Sequence, residues 1–85
     1  MTHDEAYRKA EDEIELVRLS GTRKLNLMNM GLTRLPDSLS SLTQLESLNL
    51  SYNLLDKLPD WIGGFTNLKS LSITDNYLIS LDLID

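Results

Sequence analysis

Apolar residues recur along this chain with a fixed spacing of 23 residues. Within one unit, Leu48 and Leu50 lie two residues apart, which is the period of a strand that buries one face. One strand alone buries nothing, so the unit needs copies of itself, and a fixed period in this range indicates repeats that stack on one another. The positions that match at this spacing are Leu25, Leu48 and Leu71; Leu27, Leu50 and Ile73; Leu32, Leu55 and Leu78; and Leu35, Leu58 and Leu81.

The repeated segment reads L-E-S-L-N-L-S-Y-N-L-L at 45–55, and it returns at 68–78 with Ile73 in place of a leucine. This is the L-x-x-L-x-L-x-x-N-x-L pattern, and over about residues 25–81 the chain resembles the leucine-rich repeat family. The unit with L-P after its fourth leucine resembles the type found in bacterial and cyanobacterial proteins and in Ras-pathway scaffolds. The resemblance implies an α/β solenoid, a short right-handed coil with an N-terminal helical cap and a small parallel sheet.

Two segments are expected along the chain. Residues 1–21 are predicted to form a capping helix, and residues 22–85 about two and a half repeats with an apolar C-terminal tail. Short helical turns are expected after Pro36 and Pro59, where each repeat returns across the back. The strands are predicted at about Lys24–Met28, Ser47–Ser51 and Ser70–Thr74.

The N-terminal segment carries helix signals at both ends. Thr2, followed three residues later by Glu5, has the form of a capping box, and Gly21 is a plausible stop. Leu16 points away from the apolar stripe, so the helix is either a structural cap or a docking helix with Leu16 as its contact. The stripe at helical spacing consists of Ala6, Tyr7, Ala10, Ile14 and Val17.

Asn53 and Asn76 hold the asparagine position of the repeat pattern. We expect both to sit inside the turns, where their amides satisfy backbone groups that neighbouring units leave unpaired. Met30 stands at this position in the first unit, so the asparagine ladder is predicted to be incomplete there, beside the cap.

The resemblance implies that binding takes place on the concave side of the sheet, whose side chains alternate with the buried leucines. This face is small and polar, and only Tyr52 and Met28 resemble interface anchors. It either binds a specific protein or is a solvated sheet kept soluble by small polar residues. Its residues are Lys24, Asn26, Met28, Asn29, Ser47, Asn49, Ser51, Tyr52, Ser70, Ser72, Thr74 and Asp75.

The C-terminal tail is apolar, and Asp82 replaces the expected proline. Two explanations stay open: the chain is a repeat fragment of a larger multidomain signalling protein, or its open edge pairs with a second copy in a homodimer. The residues predicted for self-association are Leu78, Ile79, Leu81, Leu83 and Ile84.

Composition narrows the function classes. The formal net charge of −5 disfavours nucleic acid and anionic membrane as partners. There is no cysteine, and the charged start lacks the apolar segment of a secretory signal, so a cytoplasmic location is expected. His3 is the only histidine, so a nucleophile would lack a base, and no enzyme activity, cofactor or metal is expected.

The lone tryptophan, Trp61, lies on a return arm. It is expected to be partly buried over that arm, with a convex-face binding anchor as the alternative. The sequence as a whole predicts a non-catalytic scaffold that binds another protein, with self-association as the alternative.

Overall fold

The computed structural model describes residues 3–78 and begins with one helix. Helix α1 spans His3–Ser20, close to the predicted segment, while the predicted cap residue Thr2 lies outside the described residues. The helix ends at Gly21, which has φ 73° and donates its N–H to the Val17 carbonyl at 2.9 Å. Glycine suits this left-handed position because it has no Cβ to clash with the backbone.

Helix α1 covers the first repeat with its stripe of small and branched side chains. Ala6, Ala10, Ile14 and Val17 are buried, and the helix packs against the first strand and the first return arm. Two alanines in this stripe allow a close approach of the helix to the repeat, because a larger side chain there would overfill a packed interior. The predicted apolar stripe is therefore the docking face of the helix.

Tyr7 anchors the same helix at the edge of the stripe. Its hydroxyl oxygen accepts the backbone N–H of Asp37 at 3.3 Å. The guanidinium carbon of Arg34 lies 4.5 Å from the centre of its ring, a cation–π geometry. Both contacts tie α1 to the first return arm.

Three short strands form an open parallel sheet in the order β1-β2-β3. Leu25 pairs with Leu48 and Leu48 with Leu71, so each strand is one 23-residue repeat away from its neighbour. Within residues 3–78 the sheet is not closed and a full coil is not shown, so the right-handed solenoid remains a prediction. The strands are β1 (Lys24–Asn26), β2 (Ser47–Asn49) and β3 (Ser70–Ser72).

These strands are shorter than the sequence predicted, although the backbone pairing goes further. The N–H of Asn29 still donates to the Ser51 carbonyl at 2.9 Å, and that of Tyr52 to the Thr74 carbonyl at 2.8 Å. The extended conformation ends because Asn29, Tyr52 and Asp75 all have positive φ, at 57°, 59° and 57°. A left-handed residue turns the chain out of the strand direction.

The return arms contain the predicted helical turns, as two 3₁₀ helices at Asp37–Ser41 and Asp60–Gly64. Each follows an extended proline, Pro36 or Pro59, which has no N–H to leave unpaired at the helix start. The core lies between the sheet and these arms. Its buried repeat residues are Leu25, Leu27, Leu32, Leu35, Leu39, Leu42, Leu45, Leu48, Leu50, Leu55 and Phe65.

Candidate functional site

Asn53 is buried between the first two repeats and fixes the loop that follows β2. Its Oδ1 accepts the N–H groups of Met30 and Leu32, both at 3.0 Å. Its Nδ2 donates to the carbonyls of Leu27 and Leu50, both at 2.9 Å, and more weakly to Ser51. One side chain thus satisfies backbone groups of two repeats, as the repeat pattern predicts.

Asn76 repeats this arrangement one unit later. Its Oδ1 accepts the N–H of Leu55 at 3.1 Å, and its Nδ2 donates to the carbonyls of Leu50 and Ile73. Met30, at the equivalent position of the first repeat, is half-buried against the core. The asparagine ladder therefore begins at the second repeat, as expected for a first unit that faces a helix.

The outward side chains of the sheet, predicted as the concave face, form what we call the strand face. Lys24, Asn26, Met28 and Asn29 are exposed, and Asn49 is half-buried. The remaining predicted residues are distributed as follows: Ser47 and Ser72 are half-buried, and Tyr52, Ser70, Thr74 and Asp75 are exposed.

Ser51 departs from the prediction, because it is buried rather than exposed. Its Oγ accepts the backbone N–H of Thr74 at 3.2 Å. Met28, Ser51 and Thr74 are equivalent residues of the three repeats, and Ser51 belongs to the middle one. Its small side chain is therefore covered by the repeats on either side. Ser51 therefore links two repeats and is not available for a partner.

Two asparagines on the strand face are held by their own backbone, a role that the repeat pattern alone did not indicate. The Oδ1 of Asn26 accepts the N–H of Met28 at 2.9 Å, and that of Asn49 accepts the N–H of Ser51 at 3.0 Å. A hydrogen bond from the backbone N–H to an asparagine side chain two residues earlier is common at turns. The NH₂ group of Asn49 in turn donates to the Met28 sulfur at 3.7 Å.

The loops that follow the strands carry exposed apolar side chains. Met28 and Tyr52 were predicted there, whereas Leu54 and Tyr77 were missed by sequence reasoning. Leu54 and Tyr77 occupy the same position of two successive repeats, directly after the structural asparagine. That equivalence was the signal that could have found them, because the buried asparagine forces its successor outward.

The opposite ends of the strands carry charges that pair with one another. One carboxylate oxygen of Glu46 accepts a hydrogen bond from the Arg23 guanidinium at 3.4 Å. The other carboxylate oxygen of Glu46 lies 3.9 Å from the amino group of Lys69. These three residues are equivalent positions of consecutive repeats. The strand face therefore runs from a charged end, where two basic side chains share Glu46, to an apolar end.

The outer face of α1 is exposed and contains Leu16 and Leu19. Beside them the Arg18 guanidinium donates hydrogen bonds to Glu15, which lowers the pKa of that carboxyl. This surface is the alternative docking site that the sequence left open.

Trp61 is half-buried on the second return arm, with its ring centre 5.9 Å from that of Phe65. This geometry agrees with the expected packing role. Of the predicted self-association residues, Leu78 is half-buried against the core, and Ile79, Leu81, Leu83 and Ile84 lie outside the described residues.

Within residues 3–78, no group of three or more histidine, aspartate or glutamate side chains is placed to hold a metal ion. In the same range, no helix combines the length and apolar character that a membrane span requires.

The stacked strands, the buried asparagines and the 23-residue period define a repeat protein. The family model described as "Leucine rich repeat" matches residues 20–78, and the chain belongs to the leucine-rich repeat family. A comparison with curated proteins finds no matching relative. Domains of this family generally mediate protein–protein interaction and are typically non-enzymatic.

Proposed function

We propose that this chain is a non-catalytic scaffold that binds another protein through its strand face. The proposal rests on one observation, that Tyr52 is exposed on a backbone held in place by the next residue. Tyr52 is 52% exposed, while the next residue, Asn53, is buried and hydrogen-bonded to two repeats. A large ring on a fixed backbone loses little conformational freedom on binding, and tyrosine is enriched among the residues that dominate interfaces.

The surroundings of Tyr52 support the same surface. Asn26 and Asn49 each accept a backbone N–H with their side-chain oxygen, which fixes both side chains on this face. Met28 adds an exposed, flexible apolar side chain that adapts to partner surfaces. The proposed contact residues are Lys24, Asn26, Met28, Asn29, Asn49, Tyr52, Ser72, Thr74 and Asp75.

Affinity capture with quantitative mass spectrometry tests this proposal. The immobilised chain is compared with Tyr52→Ala and with a matched variant, Leu19→Ala, which also removes an exposed large side chain but from α1. A protein recovered by wild type and Leu19→Ala should fall about tenfold with Tyr52→Ala, as for an interface anchor. Equal recovery with Tyr52→Ala, in a variant shown to be folded by its thermal melt, would contradict the proposal.

Self-association is a second candidate, favoured by one observation on β3. Leu71 is 36% exposed, whereas its register partners Leu25 and Leu48 are 4% and 1% exposed. Two copies joined at this strand would bury the same leucine from both chains. The sequence also assigns Ile79, Leu81, Leu83 and Ile84, which lie outside the described residues, to self-association.

Light scattering over a wide concentration range tests this second candidate. A dimer should appear at high concentration and be lost when Leu83 and Ile84 are both changed to glutamate. A mass that stays that of one chain at every concentration would leave the heterologous partner as the only proposal.

A further inference from the structure

The loops that follow β2 and β3 lie side by side at the apolar end of the strand face. Tyr52 donates its backbone N–H to the Thr74 carbonyl at 2.8 Å. Tyr77 donates its own to the Leu55 carbonyl, also at 2.8 Å. Hydrogen-bonded neighbours of this kind lie about 4.8 Å apart, so residues at equivalent positions are adjacent. The exposed residues gathered there, which we call the loop corner, are Tyr52, Leu54, Asp75 and Tyr77.

Asp75 is the charged member of the loop corner, and no basic side chain pairs with it within residues 3–78. The ion pairs of that part of the chain lie on α1 and at the opposite ends of the strands. Its carboxylate is therefore open to a cation from outside. The two tyrosine rings add negative ring faces, which attract cations.

The backbone of Tyr52 has the left-handed conformation that the repeat geometry imposes on this position in all three repeats. Asn29 and Asp75, at the equivalent positions, have short polar side chains that tolerate this conformation. Tyrosine does not share this tolerance, yet Tyr52 has φ 59°. The second repeat therefore carries a large ring at a position better suited to asparagine, and strained positions of this kind cluster at functional sites.

We propose that the loop corner docks an arginine or lysine side chain of the protein partner. The cationic head would pair with Asp75 and lie against the tyrosine rings, and its methylene stem would cover Leu54. This inference rests on the proposed function and adds the chemistry of the partner, a basic residue beside an apolar one. The formal net charge of −5 favours the approach of such a partner.

Selection from a displayed library of random peptides on the immobilised chain tests the inference. The selected peptides should be enriched in arginine or lysine. For one such synthetic peptide, Asp75→Asn should weaken binding about threefold, the scale of an exposed charge pair. Tyr52→Asn, which removes the ring but suits the left-handed backbone, should weaken it about tenfold. The matched control Asp60→Asn removes an exposed carboxylate from the second return arm and should leave binding unchanged.

Several outcomes would overturn the inference. A selection that yields no peptide, peptides without basic residues, or binding that Asp75→Asn leaves unchanged would each do so. If binding is weakened by Tyr52→Asn but not by Asp75→Asn, the inference fails while the proposed strand-face function stands. If it depends on neither Asn49 nor the loop corner but is lost with Leu16→Ala, the proposed function fails as well.

Discussion

The side-chain amide of Asn53 donates a hydrogen bond to the carbonyl of Leu27, 2.9 Å away in space and 26 residues earlier in the chain. The other end of the same amide accepts two N–H groups of the first repeat, from Met30 and Leu32. The loop after β1 therefore depends on a residue supplied by the next repeat. Removing that residue should affect two repeats at once.

We expect Asn53→Ala to lower the free energy of unfolding by about 3 kcal/mol, because it leaves buried N–H and C=O groups without partners. Asn76→Ala should cost about 1 kcal/mol less, since Asn76 is only half-buried and water reaches part of its partners. Urea denaturation measures both variants. A smaller loss for Asn53→Ala than for Asn76→Ala would show that the ladder is not the main link between the first two repeats.

Met30→Asn should also destabilise the fold, although it restores the repeat pattern. Asn53 uses its NH₂ group on carbonyls of its own repeat and its oxygen on N–H groups of the preceding repeat. No repeat precedes the first one, where α1 uses its N–H groups within the helix, so the side-chain oxygen of Asn at position 30 would lack its partners. A half-buried acceptor without a partner should reduce the free energy of unfolding by about 1–2 kcal/mol. Met30→Leu, with the same apolar character, is the control and should change stability little. A stabilised Met30→Asn variant would mean that α1 opens to pair with it.

Tyr52→Asn should increase the free energy of unfolding by about 1 kcal/mol, because asparagine tolerates the left-handed backbone that Tyr52 is made to adopt. Tyr52→Val should do the opposite, since a branched Cβ clashes more strongly at positive φ. Thermal and urea unfolding measure the pair. Equal stabilities for the two variants would show that the backbone at residue 52 relaxes once the ring is removed.

Tyr7→Phe and Tyr7→Ala separate the two contacts that hold α1 to the first return arm. Phenylalanine keeps the ring beneath Arg34 and loses only the hydroxyl that accepts the Asp37 N–H, so its cost should stay near 0.5 kcal/mol. Alanine removes the ring as well and should cost about 2 kcal/mol. Urea denaturation followed by helix circular dichroism measures both. An equal cost for the two variants would assign the helix docking to the hydroxyl alone.

The period of the sequence predicted the order and register of the strands, because residues 23 apart occupy equivalent places in consecutive repeats. Leu25, Leu48 and Leu71 therefore lie opposite one another. The asparagine roles were predictable for the same reason, since an amide in a buried turn has few partners other than the backbone.

The end of each strand was not predictable from residue type. The left-handed residue that terminates β2 is Tyr52, which gives no local signal for positive φ, and its conformation follows from the repeat geometry that Asn29 and Asp75 share. Ser51 was predicted to be exposed but is buried, because its burial depends on the neighbouring repeats that cover it rather than on its own polarity. The loop corner was missed although Leu54 and Tyr77 lie 23 residues apart, because the pattern of buried leucines does not itself mark which loop residues stay exposed.

The most direct test of the binding surface is site-specific photo-cross-linking to a captured partner. A photoreactive phenylalanine derivative placed at Tyr52 is compared with the same group at Leu16, which is at least as exposed but lies on the outer face of α1. The proposed function predicts a covalent adduct from position 52 and none from position 16. An adduct formed only from position 16 would contradict it and make α1 the docking element.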